Sequence, residues 1–143
     1  MKKIIFIAFI AASLTACKKE NDPVCEKTVT AIAANYKLTK IETVTAAGSS
    51  DVTNSLLDNC KKNAYYGLKT DKTFTYTEIS STCTGSGAGT WDVTSSTITI
   101  TGAGGFDFTN APIESWDCTN LIITQTINVA GVTTNYRFTF VKQ

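Results

Sequence analysis

The residues of this chain best suited to covalent chemistry are its five cysteines, Cys17, Cys25, Cys60, Cys83 and Cys118. Histidine, the commonest general base and the commonest metal ligand of proteins, is absent from the sequence. No two cysteines form a C-x-x-C pair. These residue types predict sulfur chemistry, meaning lipid attachment, cross-linking or metal binding, rather than acid–base catalysis.

The beginning of the chain has the three parts of an export signal. Lys2 and Lys3 supply positive charge, and residues 4–12 form an apolar run. That run is too short for a membrane span, which needs roughly 20 apolar residues. The following Leu14-Thr15-Ala16-Cys17 resembles the lipobox of bacterial lipoproteins. We therefore predict a cleaved signal over residues 1–16 and a lipid anchor on Cys17; the alternative is an ordinary secretory signal that leaves Cys17 as an unmodified thiol.

Export would place the other four cysteines in an oxidising compartment, where two disulfides are expected. Three connectivities are open, and we favour Cys60–Cys83 with Cys25–Cys118. The first bond would tie a short segment to the end of a nearby hairpin. The second would pin the N-terminal tether to the body of the protein. Zinc binding is the alternative, but the sequence has neither histidine nor a C-x-x-C pair to favour it, so no metal site is predicted.

Charge and length limit the classes of function. The whole chain has 13 basic and 12 acidic residues, and removal of Lys2 and Lys3 leaves the mature protein with a net charge of −1. Nucleic-acid binding and a polybasic membrane patch are therefore not expected. Residues 17–30 are polar and carry Pro23, which predicts a tether, and residues 31–143 suffice for one domain with its own core.

From Tyr36 onward, apolar residues alternate with polar ones, mostly threonine, and this period of two predicts strands. The first strand would place Tyr36, Leu38 and Lys40 on one face and would break at Gly48-Ser49-Ser50-Asp51. One short helix is expected over residues 51–60, with Asp51 at its N-terminus and Val52, Leu56, Leu57 and Cys60 on one face. Further strands are predicted near residues 63–69, 73–80, 90–94, 97–101, 106–116, 121–129 and 133–141, the segment 106–116 holding one or two short irregular strands.

About eight short strands joined by turns predict an all-β fold. Because consecutive strands usually pair as antiparallel hairpins, we expect a small up-and-down barrel.

Two other patterns could indicate chemistry. Gly85-x-Gly87-x-Gly89 superficially suggests a nucleotide loop, but a strand rather than a helix follows it, so we predict a flexible hairpin connection. Four carboxylates could act as acids, bases or calcium ligands, but their spacing matches no calcium loop and we expect them to be solvated; they are Asp92, Asp107, Glu114 and Asp117. No cofactor and no enzymatic activity are predicted.

Several segments together resemble the lipocalin-like domains of small exported lipoproteins in Gram-negative bacteria. Tyr36-Lys37-Leu38-Thr39 looks like the opening W-K-L strand, Gly89-Thr90-Trp91-Asp92-Val93 like the central G-T-W strand, and Tyr136-Arg137-Phe138-Thr139-Phe140 like the final Y-x-F strand. Asp58-Asn59-Cys60-Lys61-Lys62-Asn63, the turn Lys69-Thr70-Asp71-Lys72-Thr73-Phe74 and the subsequent Cys83 complete the set. Lys72 stands where this turn usually has glycine. The resemblance covers residues 31–143, implies an eight-stranded barrel and supports Cys60–Cys83.

The function expected from this fold is binding. The leading hypothesis is an envelope protein, anchored to the outer membrane and facing the periplasm or the cell surface, that takes a small apolar or amphipathic ligand. The residues that would contact the ligand are Trp91, Trp116, Tyr76 and Phe138, although the same aromatic side chains could simply fill the barrel. The alternative is a non-enzymatic protein-interaction module, an envelope accessory, adhesion or inhibitor domain that uses its loops or a sheet face. A monomer is expected.

Overall fold

The computed structural model describes residues 24–80, 82–102, 106–129 and 131–143. The predicted signal over residues 1–16, the lipidation site Cys17 and the tether as far as Pro23 lie outside the described residues. The elements, in chain order, are α1 (Val29–Ile32), β1 (Ala34–Thr45), β2 (Gly48–Asp51), α2 (Thr53–Leu56), α3 (Asn59–Lys62), β3 (Ala64–Leu68), β4 (Thr73–Glu78), β5 (Ser86–Val93), β6 (Thr97–Gly102), β7 (Phe108–Trp116), β8 (Asn120–Val129) and β9 (Val132–Lys142).

The strands form a closed antiparallel barrel. From β3 to β9 each strand pairs with the next along the chain, and β1 pairs with both β3 and β9. This closure makes an eight-stranded barrel of β1 and β3–β9, which confirms the predicted fold class. The ninth strand, β2, pairs only with the far end of β1, where a break was predicted.

The predicted alternation places aromatic and branched side chains inside the barrel. In β4, Phe74 and Tyr76 are buried while Thr73 and Thr77 are exposed. Successive strands repeat this pattern, and their buried side chains join in one core. Burial of this apolar surface is the main term that stabilises the barrel.

A β-bulge corrects the predicted face of the first strand. The register of β1 against β9 shifts between Leu38 and Lys40. Leu38 therefore points inward, but the next buried side chain is Ile41. Lys40 is exposed and pairs with Glu42 at 2.8 Å, so the prediction that Lys40 shares a face with Leu38 was wrong. A single inserted residue inverts the phase of the alternation.

The predicted helix over residues 51–60 is two separate turns, α2 and α3. Leu57 lies between them and is buried, whereas Leu56 is 40% exposed. Asp51 belongs to β2, although its carboxylate accepts a hydrogen bond of 2.8 Å from the Thr53 amide. Asp58 starts the second turn by accepting from the Lys61 amide at 2.8 Å. The cap at Asp58 satisfies amides of a new helix and thereby favours two turns over one continuous helix.

The glycine-rich stretch over residues 85–89 was predicted as a flexible connection, and this was wrong: most of it lies in β5, which begins at Ser86. The glycines recur with the period of a strand. Gly89 lies opposite Phe74, and a β-carbon on Gly89 would collide with the Thr101 carbonyl of β6. Glycine is therefore needed where two backbones approach closely.

The barrel has two ends, which we call the base and the mouth. The base carries α1 and the disulfide Cys25–Cys118, with a Cα–Cα distance of 5.4 Å. The mouth carries α2, α3 and the disulfide Cys60–Cys83, with a Cα–Cα distance of 5.6 Å. Both favoured pairings are thus confirmed.

Candidate binding sites

The base of the barrel is closed by α1. Ile32 is completely buried there, and the Tyr36 hydroxyl donates a hydrogen bond of 2.6 Å to the Ile32 carbonyl. Burial raises the pKa of Tyr36 well above its ordinary value. Beside this region, the Lys142 ammonium lies over the Trp116 ring, 5.8 Å from the ring centre.

The interior is filled by the protein's own side chains. Phe74, Trp91, Phe138 and Phe140 are each at most 2% exposed. The Trp91 indole nitrogen donates a hydrogen bond of 2.8 Å to the Lys69 carbonyl, which satisfies its one polar atom. Such packing is typical of small barrels whose interior serves as the core.

The four residues predicted to contact a ligand all lie inside, but at different levels. Trp91 and Trp116 lie near the base, Phe138 lies in the middle, and Tyr76 lies toward the mouth. Among the ring contacts of the described residues, no two of the four contact each other. Phe138 packs edge-to-face on Phe108 at 5.0 Å. The four rings therefore share the interior without contacting one another.

Two buried polar atoms in the described part of the chain have no hydrogen-bond partner, the Tyr66 hydroxyl and the Trp116 indole nitrogen. Tyr66 is only 2% exposed and its ring lies edge-on to that of Tyr76 at 5.3 Å. Buried polar groups are almost always paired, so each of these atoms is a place where a ligand or a water molecule would be stabilised.

Tyr66 belongs to a polar group at the mouth, the mouth cluster, which consists of Cys60, Tyr66, Tyr76, Glu78 and Cys83. The Glu78 carboxylate accepts hydrogen bonds from the Tyr76 hydroxyl at 2.8 Å and from the Gly85 amide at 3.0 Å. A carboxylate oxygen and the two sulfurs of the disulfide all lie within 4.8 Å of one another.

Burial, assisted by the negative charge of Glu78, raises the pKa values of Tyr66 and Tyr76. Glu78 was missed in the sequence, although its position two residues after Tyr76 places it on the same inward face.

A second candidate site is a split in the barrel wall. Strand β8 has ten residues that all pair with β9, but only residues 121–123 pair with β7. Residues 108–112 of β7 pair with β6 on the other edge of β7 but have no paired residue in β8, and the β7–β8 register shifts between Ile113 and Ser115. The predicted irregular segment 106–116 is thus one strand that departs from β8. We call the gap between residues 108–112 and residues 124–128 the β7–β8 split.

One side chain spans the split, because the Gln125 amide donates a hydrogen bond of 3.1 Å to the Asp107 carbonyl. Beside the split, the outer wall forms a groove of about 250 Å³. Arg137 lies in this groove and donates a hydrogen bond of 2.7 Å to Glu114. Its guanidinium also forms an ion pair with Glu42 at 3.8 Å. The hydrogen bond to Glu114 raises the pKa of Arg137, and the hydrogen bond from Lys40 lowers the pKa of Glu42.

The four carboxylates considered for chemistry are engaged in local structure. Asp92 pairs with Lys72 at 2.9 Å, and Asp107 accepts from the Gly102 amide at 2.9 Å. Asp117 accepts hydrogen bonds in the turn before β8, and Glu114 pairs with Arg137. These carboxylates take part in separate interactions and support no shared site.

Comparison of the chain with protein-family models, with curated proteins and with solved structures found no match of any of the three kinds. Among the described residues, no helix has the length and apolar character required to cross a bilayer.

Proposed function

We propose that this protein is a lipid-anchored envelope lipoprotein whose barrel is a non-enzymatic interaction module, and that it binds an extended polypeptide segment at the β7–β8 split. The observation that carries this proposal is the contrast between a filled interior and an incompletely paired wall. Interior rings such as those of Phe108 and Phe138 pack against one another, whereas residues 124–128 of β8 have a strand neighbour, β9, on one side only.

The backbone of the split supports strand addition. In a β-strand, alternate amide and carbonyl groups point to opposite sides, so part of the backbone of residues 124–128 points away from β9. An extended peptide can satisfy such groups by adding a strand, and it gains main-chain hydrogen bonds in doing so. Strand edges are a well-known template for pairing with another chain.

The two sides of the split differ in how they are protected. On the β7 side, Pro112 has no amide proton and Asn110 adopts a left-handed conformation with φ of 49°, and both features disfavour pairing. On the β8 side, Thr124-Gln125-Thr126-Ile127-Asn128 contains neither proline nor a charged residue. We therefore place the docking peptide against β8.

Peptide binding at this edge is tested with a synthetic peptide of residues 133–139, the sequence that pairs with β8 inside the barrel. Two modified peptides carry backbone N-methyl groups on alternate residues, in opposite phases. Only one phase points its amides at β8, so one methylated peptide should lose binding and the other should retain it, as measured by fluorescence anisotropy. Equal binding of both would contradict docking by strand addition.

Cross-linking at two matched positions tests where the peptide lies. Thr126 and Thr77 are both exposed threonines on the outer wall, but Thr77 lies in β4, which is paired on both sides. A photo-activated cross-linking residue at position 126 should capture the peptide, and the same residue at position 77 should not. Hydrogen exchange should slow in residues 124–128.

The lipid anchor is supported by Leu14-Thr15-Ala16-Cys17 and by the position of the first disulfide. Cys25 lies eight positions after Cys17, and a chain of this length spans at most about 29 Å. Because Cys25 is bonded to Cys118 at the base, a lipid on Cys17 would hold the base nearest the membrane. Inhibition of lipoprotein signal peptidase should accumulate a heavier precursor. If Cys17→Ser is processed and fractionates like the wild type, the anchor is refuted.

One observation favours the other candidate function, the binding of a small amphipathic ligand inside the barrel. The Tyr66 hydroxyl is buried without a partner beside Tyr76, one of the residues predicted to contact a ligand, and it would bond to the polar group of such a molecule. Native mass spectrometry of the purified protein tests this function. A bound lipid that is lost in Tyr66→Phe would favour the carrier over the surface module.

A further inference from the structure

The mouth cluster has the composition of a metal site in which two of the ligands are cross-linked. Cys60 comes from α3, Cys83 from the segment after β4, and Glu78 from the end of β4. Their sulfur and carboxylate oxygen atoms lie within 4.8 Å of one another. In a tetrahedral zinc site, with bonds of about 2.0–2.3 Å, neighbouring ligand atoms lie roughly 3.5–4 Å apart. The carboxylate already lies close to this spacing, whereas the two sulfurs, which are bonded to each other here, must first separate to it.

The charges at the mouth favour a cation. Glu78 is half-buried, and across the described ranges no lysine or arginine lies within ion-pair distance of it. Asp58, the N-terminal cap of α3, is close enough to act on Tyr76, and its own charge is partly offset by Lys61 at 4.0 Å. Removing a carboxylate from water without an opposite charge is unfavourable, and a bound cation would relieve this.

A second, independent observation comes from the hydroxyl groups. The Tyr66 hydroxyl is buried without a partner, and the Tyr66 ring lies edge-on to that of Tyr76, which donates to Glu78. The carboxylate of Glu78 is already held by the Tyr76 hydroxyl and the Gly85 amide. Outer hydrogen bonds of this kind orient the ligands of metal sites.

We propose that, once the Cys60–Cys83 disulfide is reduced, the two thiolates and the Glu78 carboxylate bind a divalent cation of the zinc class. A dithiol donates two electrons and two protons to the disulfide, is itself oxidised to a disulfide, and leaves two cysteine thiols. Each thiol releases its proton to solvent when its sulfur binds the metal. Three protein ligands leave a fourth position for water. The two sulfurs thus either bond to each other or bind the metal. Reduction by a dithiol breaks the disulfide and allows the metal to bind.

The experiment uses the exported chain with Cys17→Ser, Cys25→Ser and Cys118→Ser, in which Cys60 and Cys83 are the remaining cysteines. Circular dichroism first shows that the barrel is folded, and the probes are Zn²⁺ and Cd²⁺ alone. The dithiol-reduced protein should bind one ion and develop the ultraviolet absorption of Cd²⁺–thiolate bonds. The oxidised protein should bind none. If the reduced, folded protein binds no ion, or if the oxidised form binds equally well, the proposal is overturned.

Variants of Glu78 and of its partner Tyr76 test whether Zn²⁺ binds at the mouth cluster. Glu78→Gln should weaken Zn²⁺ binding by at least about tenfold, and Tyr76→Phe by about tenfold through the loss of an orienting hydrogen bond. Asp92→Asn is the matched control, because Asp92 is an exposed carboxylate that pairs with Lys72 away from the mouth, and this variant should leave the affinity for Zn²⁺ unchanged. If Glu78→Gln leaves the affinity unchanged, the carboxylate is not a ligand and the site is wrong.

A second measurement covers the case in which the variant without Cys25–Cys118 does not fold. The protein that keeps this bond is partially reduced with a dithiol, and alkylation of a metal-free portion followed by mass spectrometry establishes the fraction in which only Cys60 and Cys83 are free. Zn²⁺ should protect both thiols from alkylation in this fraction. Undiminished alkylation in the presence of Zn²⁺ would contradict the proposal.

Discussion

The Tyr76 hydroxyl donates a hydrogen bond of 2.8 Å to the Glu78 carboxylate, two residues further along the same strand. Both side chains point into the barrel, and this bond gives the half-buried carboxylate one of its two partners. Beyond Glu78 lie the sulfurs of Cys60 and Cys83, so the pair joins the aromatic interior to the disulfide at the mouth.

Loss of the hydrogen bond between Tyr76 and Glu78 should destabilise the barrel. Tyr76→Phe keeps the buried ring but leaves Glu78 with one hydrogen bond fewer, so the free energy of unfolding should fall by about 1–3 kcal/mol. Urea denaturation measures the change. Tyr65→Phe is the control, since Tyr65 lies on the opposite face of its strand and is partly exposed; it should change stability by less than about 0.5 kcal/mol. Equal effects of the two variants would show that the hydrogen bond to Glu78 is unimportant.

Alkaline pH should unfold the barrel. Burial raises the pKa values of Tyr36, Tyr66 and Tyr76 in the folded state, while a tyrosine in the unfolded chain titrates near pH 10. The stability that these groups contribute is complete below about pH 10 and is lost as the pH rises above it, because only the unfolded chain releases the protons. Each tyrosine should lower the free energy of unfolding by about 1.4 kcal/mol per pH unit in this range.

Urea titrations between pH 9 and 11.5 provide the measurement, with the pH values chosen to bracket the ordinary tyrosine pKa of about 10. Replacing one of these tyrosines by phenylalanine should make the fall in stability less steep. A pH dependence that is identical in Tyr36→Phe and the wild type would contradict the assignment for that residue.

Gly89→Ala should be strongly destabilising. The added β-carbon would collide with the Thr101 carbonyl, which belongs to the neighbouring strand and cannot move without breaking the ladder. A loss of about 2–4 kcal/mol in the free energy of unfolding is expected, as for overpacked cores and strained backbones. The neighbouring Ala88 is exposed, and Ala88→Ser should change stability by less than about 0.5 kcal/mol. A Gly89→Ala protein as stable as Ala88→Ser would be inconsistent with the close approach of β5 and β6.

Lys72→Gly should leave the turn between β3 and β4 as stable as before or slightly more so. Lys72 has a φ of 64°, and relief of this left-handed strain is worth about 1–2 kcal/mol. The substitution also removes the exposed ion pair with Asp92, which contributes about 0.2–1 kcal/mol. Asp92→Asn isolates the ion-pair contribution in thermal unfolding. If Lys72→Gly lowers the melting temperature by more than Asp92→Asn does, the backbone of Lys72 is not strained.

Features encoded by neighbouring residues were predicted correctly from the sequence. The alternation of Phe138 and Phe140 with polar residues defines both the strand and its inward face, because successive side chains of a strand point to opposite sides whatever the strand pairs with. Both disulfides were also predicted, since four cysteines beside the predicted lipidation site leave only three combinations.

The failures occurred where a distant residue decides the local structure. Nothing near Lys40 reveals that one residue is inserted relative to β9, whose pairing residues lie about a hundred positions away. The glycines of β5 resemble a loop until the close approach of β6 is known.

By itself the sequence determined the strand pattern, most of the inward faces and the two disulfides, because each of these depends on residue type and on local spacing. Tertiary structure alone decided that β1 closes the barrel on β9, that β7 departs from β8 to leave the split, and that Glu78 lies beside Cys60 and Cys83. The physical reason is that register, packing and the proximity of charges are set by contacts between segments far apart in the chain, and their energies appear only once the barrel has closed.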